Sequence, residues 1–175
     1  MADVSGGEGF DEAMARIGDK VKSALVRVGF LEDATYPDGT KVATVAAISN
    51  YGAPAAGIPP RPFFTNMVRD QSPTWAERFE RVLQSTGFDA ELALERMGEG
   101  IAGQLREAIV ALNDPANSPV TDLLKQRFPT GEGVTFADVQ QARADVAAGV
   151  TAPKGKPLVW SGHLLGSVDS EVEDL

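Results

Sequence analysis

The sequence predicts an α+β protein: a small antiparallel sheet packed against one long amphipathic helix, with an additional helical arm. Three observations carry this. Over residues 90–112 the apolar positions Leu94, Met97, Ile101, Leu105, Ile109 and Leu112 keep three-and-four spacing, the stripe of a helix with one buried face. Residues 24–31 are rich in β-branched and large apolar side chains, and residues 170–175 alternate, as strands do. Between the long helix and the C-terminal segment, Pro115, Pro119, Pro129, Gly131, Gly133, Gly149 and Pro153 break the chain into short helical pieces. Residues 1–112 and 156–175 are therefore expected to form one core domain, and residues 113–155 an arm or insertion rather than a second core.

Taken in order, the first helix is read over residues 10–23, where Phe10, Met14, Ile17 and Val21 share a face. A strand follows over 24–31, with Val26, Val28 and Phe30 on one side and Arg27 on the other. Pro37-Asp38-Gly39 supplies a turn, since proline presets φ and glycine tolerates the left-handed region. Residues 41–48 pull two ways. Pairing with the first strand is attractive, but Ala43, Ala46 and Ala47 favour helix and Asn50-Tyr51-Gly52 reads as a helix end. A strand that gives way to a short helix is expected, adding a third member to the sheet.

Residues 53–62 contain Pro54, Gly57, Pro59, Pro60 and Pro62, which makes a stiff extended loop. A short helix is read over 63–70. Ser72-Pro73 resembles an N-cap with proline at the first helical position, opening a helix over 74–84 with the stripe Trp75, Phe79, Val82 and Leu83. Gly87 breaks the chain and Asp89 caps the long helix. In the arm, Ser118 and Thr135 are expected to cap helices over 119–128 and 136–148. Their apolar faces, Val120/Leu123/Leu124 and Phe136/Val139/Ala142, are modest. The chain closes with a Pro-Leu-Val-Trp run, a turn at Ser161-Gly162, a helical turn over 163–168 and the last strand. No internal repeat is visible.

Composition narrows the function. At 175 residues and 18.5 kDa the chain is one domain with a modest appendage, long enough to bury roughly 70% of its unfolded surface without staples. With 43% hydrophobic and 23% charged residues it is globular in character. The absence of cysteine excludes disulfides, thiolate metal sites and cysteine nucleophiles, and a single histidine, His163, excludes multi-histidine metal sites. The net charge of -9 argues against gripping DNA, which needs a clustered basic surface. Residues 1–10 show neither the basic nor the apolar region of a secretory signal, and no stretch approaches the roughly 18 to 20 apolar residues of a membrane span. A soluble cytoplasmic protein without cofactor or metal is expected.

Four constellations invite chemical readings. Gly98, Gly100 and Gly103 match the letters G-x-G-x-x-G, but that fingerprint works as a strand-to-helix turn, and here the glycines fall inside a helical period with no strand before them. Close helix packing, or a local kink, is the better reading. Ser161 and His163 place a hydroxyl near the imidazole, yet residues two apart on a turn rarely reach each other and no third group is evident. Ser161 is expected to cap the helical turn. Glu32, Asp33 and Asp38 surround a turn without the spacing of a calcium loop. Asp169, Glu171, Glu173 and Asp174 make a negative tip, read as a solvated end, or as a surface that faces DNA without sticking or meets a basic partner.

Two separated blocks carry a resemblance. The first runs from Val42-Ala43 to Asn50-Tyr51-Gly52 and on to Ile58-Pro59-Pro60-Arg61-Pro62-Phe63-Phe64; the second is Lys156-Pro157-Leu158-Val159 with Ser161-Gly162-x-Leu164-x-x-Ser167-Val168. Together they resemble the tail-completion, or head-to-tail joining, proteins of long-tailed bacteriophages, also called virion-morphogenesis proteins. The likeness covers roughly residues 24–112 and 156–172. It departs in the longer stretch between Leu112 and Lys156, and in Trp160, where an acid often stands.

The resemblance implies a non-enzymatic virion protein at the neck or tail, assembled in the host cytoplasm. It implies a homo-oligomeric ring, a hexamer by the symmetry such tails have. The partners it implies are copies of itself, other neck and tail proteins, and DNA that passes through the lumen unbound. The residues it singles out for interaction are Tyr51, Gly52, Pro60, Arg61, Pro62, Phe63, Phe64, Lys156, Pro157, Leu158, Gly162, Leu164 and Ser167. A rigid proline loop loses little entropy on docking, Arg61 offers a fork for carboxylate or carbonyl oxygens, and Phe63 and Phe64 offer area. The same block is equally able to seal a junction inside one subunit. The alternatives are a tail terminator or other assembly factor of the same virion, a host adaptor without a ring, and, from another class, a small nucleotide-binding enzyme.

Overall fold

The structure, a computed structural model, describes residues 7–22 and 24–174. Ser23 and Leu175, ends of the first predicted helix and the last predicted strand, lie outside these residues, as do residues 1–6 and the side chains of Phe10 and Val21. The fold is mixed helix and strand, with a two-stranded antiparallel sheet against one long helix. Helix α1 (Gly7–Lys22) leads into β1 (Ala24–Phe30), and β1 pairs with the C-terminal β2 (Val168–Asp174). The register sets Val26 opposite Val172 and Arg27 opposite Glu171. Because side chains alternate, Val26, Val28 and Ser170 face the helices, while Leu25, Arg27, Glu171 and Glu173 lie on the other face.

The long helix, α5 (Ala90–Ala111), packs against both strands, and its start is fixed by Asp89, whose carboxylate accepts from the Leu92 amide at 3.0 Å. Gly98 lies where α5 meets the sheet. A Cβ there would stand 3.0 Å from both Ser170 Cβ and Val26 Cγ1, so glycine is what lets helix and sheet approach. Gly100 and Gly103 have open space beside them. Leu105 and Ile109 on the same helix are fully buried, each contributing about 1.5 to 3 kcal/mol of burial. They join Val42, Phe63, Met67, Leu158, Leu164 and Val168 in the main core.

Residues 41–48 correct the sequence reading. They form no strand; Val42–Tyr51 is helix α2, and only an isolated bridge, Thr35 to Lys41, precedes it. The reason is visible in the buried positions Val42, Ala46 and Asn50, which recur every fourth residue, while the alanines cost a helix nothing. The sheet therefore has two strands. Ser72 is a second correction. Its backbone is helical, with φ -57° and ψ -32°, and it continues α3 (Phe63–Gln71) through a 3-10 turn into α4 (Trp75–Ser85), with no side-chain cap. The α4 stripe stays half-buried, Trp75 packing on the core and donating from Nε1 to Gln104 Oε1 at 3.0 Å.

The arm holds α6 (Pro119–Arg127) and α7 (Phe136–Ala147), capped as expected. Ser118 Oγ accepts from the Thr121 amide, and Thr135 and Asp138 form a reciprocal capping box. The arm also carries a small apolar cluster, built on the modest faces of its two helices. Leu123, Leu124 and Ala142 are buried there, with Val120, Phe128, Val139, Val146 and Trp160 around them. Helix α7 shows Ala142, not Phe136, to that cluster, and Phe136 is 75% exposed.

Candidate interaction cleft between core and arm

Both resemblance blocks meet at the seam between core and arm. Helix α2 ends at Gly52, whose φ of 77° and ψ of 172° turn the chain toward the proline loop. A Cβ on Gly52 would lie 2.8 Å from Pro60 N and 2.9 Å from Ile58 O, so no other residue fits the close approach. Two residues earlier, in the last turn of α2, Asn50 is 4% exposed and its Oδ1 accepts from the amides of Phe64 (3.1 Å) and Thr65 (3.3 Å). Those are orphan donors at the start of α3, which begins after Pro62 and has no cap of its own. Asn50 thus ties the end of α2 to the beginning of α3.

Arg61 crosses to the arm. Its Nε donates to Pro115 O at 3.1 Å and its Nη2 to Ala116 O at 3.3 Å. Partial burial holds its pKa below the ordinary arginine value. On the facing wall, Lys125 donates to Val159 O at 2.9 Å and to Lys156 O, and its ammonium lies 5.9 Å from the Trp160 ring. Burial lowers the Lys125 pKa, the nearby Asp122 charge opposes the shift, and the charge of Arg61 adds to it. Trp160 Nε1 donates to Phe128 O at 2.6 Å. Buried Asp122 accepts from Asn117 Nδ2 at 2.9 Å and from the Gly155 amide at 3.1 Å.

These ties leave a cleft of about 1370 Å³ between core and arm, bordered by Arg61, Lys125, Trp160, Tyr36, His163 and Pro157, among others. His163 stacks on Tyr36 with ring centroids 4.6 Å apart, and its Nε2 donates to Thr35 O at 2.9 Å. Burial, then the charge of Asp38, raise the Tyr36 pKa. Ser161 Oγ accepts from the His163 amide at 3.3 Å, while Gly162, at φ 81°, occupies the cap position itself. The imidazole is thus engaged with a carbonyl rather than with the Ser161 hydroxyl. Asp38 closes its own turn, accepting from the Thr40 amide at 2.9 Å, which holds its carboxyl below the usual range.

The residues singled out by sequence divide by exposure. Phe63, Leu158 and Leu164 are core residues of this chain. Gly52, Arg61, Pro62, Phe64, Pro157, Gly162 and Ser167 are half-buried, and Ser167 Oγ donates to His163 O at 2.8 Å. Tyr51, 70% exposed, Pro60 and Lys156 reach solvent. The three glycines of the G-x-G-x-x-G match all lie within α5, preceded by α4 rather than by a strand. Among the described residues no group of three or more acidic or histidine side chains is arranged to hold a metal.

Asn50, Asp122 and Lys125 were missed as determinants of this seam. Asn50 stands in the Asn50-Tyr51-Gly52 helix end and in the first resemblance block, but neither gives its side chain a role; Asp122 and Lys125 carry no local signal in the sequence of α6. Compared with models of known protein families, with curated proteins and with solved structures, the chain finds no match.

Proposed function

We propose that this chain is a structural protein of a tailed-phage virion that completes the tail or joins head to tail at the neck, as a ring of identical copies around the DNA conduit. The observation that supports it is the meeting of the two resemblance blocks at one seam. Arg61 of the first and Lys156 to Val159 of the second hold the two sides of the arm's base, and Phe63, Leu158 and Leu164 share one core. The end of α2 and the rigid loop then present Tyr51 and Pro60 outward as preorganised contact groups. The net charge of -9 suits a conduit that DNA passes without adhering. Assembly takes place in the host cytoplasm, and the partners are further copies and neighbouring neck or tail proteins.

The test is light-scattering mass with electron imaging of the purified full chain. A closed ring of about six copies of the 18.5 kDa chain, near 111 kDa, is expected. A chain that stays monomeric across the concentration range overturns the proposal.

A further inference from the structure

The sheet has two strands among the described residues, so β1 and β2 each keep one edge without a ladder partner. Each strand is seven residues long. Open edges of matched length are templates for pairing with another chain unless something forbids it. Their charges differ sharply. β2 carries Asp169, Glu171, Glu173 and Asp174 and no base. On its helix side, Glu91, Glu95 and Glu99 of α5 border Ser170 and Val172; on the other face Asp169, Glu171 and Glu173 stand with Arg27 and Arg106, so acids outnumber bases on both. β1 carries Arg27 and no acid. In the sequence before it, residues 16–22 hold Arg16, Lys20 and Lys22 against Asp19, while Glu8, Asp11 and Glu12 stand further back on α1, so the contrast with β2 rests on the strands themselves.

We infer that β1 of one copy pairs with β2 of the next, extending the sheet from subunit to subunit. The inference rests on the ring reading above and names the surface that builds it. Charge selects this pairing over the others: β2 on β2 sets acids against acids, and β1 on β1 brings arginine to arginine. Only β1 on β2 sets opposite charges across the new ladder. Within one chain Arg27 already meets Glu173 at 2.9 Å, both side chains staying partly exposed, so each retains room for a second partner across the edge. A β1-to-β2 contact is heterologous, joining unlike surfaces, and such contacts close into rings when the rotation permits. Backbone hydrogen bonds supply the affinity, and the acids of β2 keep like edges apart.

The chain lacks cysteine, which makes cross-linking clean. Leu25→Cys and Glu171→Cys place single thiols on the open face of β1 and β2 respectively. The two full-length variants, each confirmed folded by circular dichroism, are treated with a short bismaleimide separately and mixed. Cross-linked dimer several-fold above either variant alone is expected in the mixture, falling as salt is raised. No enrichment, or cross-linking confined to Leu25→Cys alone, overturns the pairing. Light scattering on the unmodified chain separates the two failures. A closed oligomer without enrichment leaves the ring and removes the strand pairing; a persistent monomer removes both.

Discussion

The side-chain oxygen of Asn50 stands 3.1 Å from the backbone nitrogen of Phe64, fourteen positions later, and holds the first turn of α3 against the last turn of α2. Asn50→Ala leaves the amides of Phe64 and Thr65 without their acceptor in a half-buried setting. The expected loss is about 1 to 3 kcal/mol, read by urea denaturation. Asn50→Asp keeps an acceptor and is expected to recover most of it.

Two glycines of α5, two residues apart, should respond with opposite signs. Gly100→Ala enters open space on a helix and is expected to stabilise by roughly 0.5 to 1 kcal/mol. At Gly98 the new methyl meets Val26 and Ser170 at 3.0 Å, and the overpacking, about 1 to 3 kcal/mol, outweighs the gain in helix propensity. Thermal unfolding of the two variants decides the matter. Severe destabilisation at Gly100 would reopen a ligand role for that segment.

Arg61→Ala removes both donors that reach Pro115 O and Ala116 O. The chain is expected to stay folded by circular dichroism, while amides near residues 113–118 exchange faster and subunit association weakens. Arg61→Lys should not restore the contact fully, because a point-like ammonium cannot reproduce the two-pronged guanidinium geometry. Outright unfolding of Arg61→Ala would make Arg61 a folding residue only.

Asp122 is 7% exposed and accepts from Asn117 and Gly155 together. Asp122→Ala leaves both donors without that oxygen, and a loss of about 1 to 3 kcal/mol is expected. Limited proteolysis should locate the loosening at the base of the arm, with α5 and the sheet still protected.

Acid should loosen α7. Hydrogen bonds from the Thr135 hydroxyl and amide hold the Asp138 carboxyl below the ordinary aspartate value of 3.8. The Arg127 and Gln141 side chains do the same for Asp145. Folded values below unfolded ones mean that the stabilisation is complete above about pH 4 and is lost as pH falls through the depressed values. Amide signals of α7 should broaden or shift there, and the double variant Asp138→Asn/Asp145→Asn should flatten that pH dependence.

Long-period and capping signals were legible in the sequence. The stripe from Leu94 to Ile109, the cap at Asp89 and those at Ser118 and Thr135 are local, set by residues three or four apart, and all appear in the structure. The strand expected at residues 41–48 failed because β propensity and helix propensity compete there, and the pairing partner of β1 lies at the far C-terminus instead. The seam was legible only in part. The glycine and proline residues of the first block announce a tight path, but that Gly52 faces Pro60, or that Lys125 reaches Val159, depends on contacts across long sequence separations.

At the arm's base, Asn117 Nδ2 also donates to Gly155 O at 3.2 Å, across 38 positions of sequence. The outgoing and returning passes of the chain therefore run side by side, as the two ends of a loop do. The segment between them, with its own apolar cluster, is built like a cassette. Its far part, beyond Lys125 and Phe128, which hold Lys156, Val159 and Trp160, can change in length with little demand on the rest of the fold. Length and composition can change in that far part while the sheet and the long helix keep their sequence.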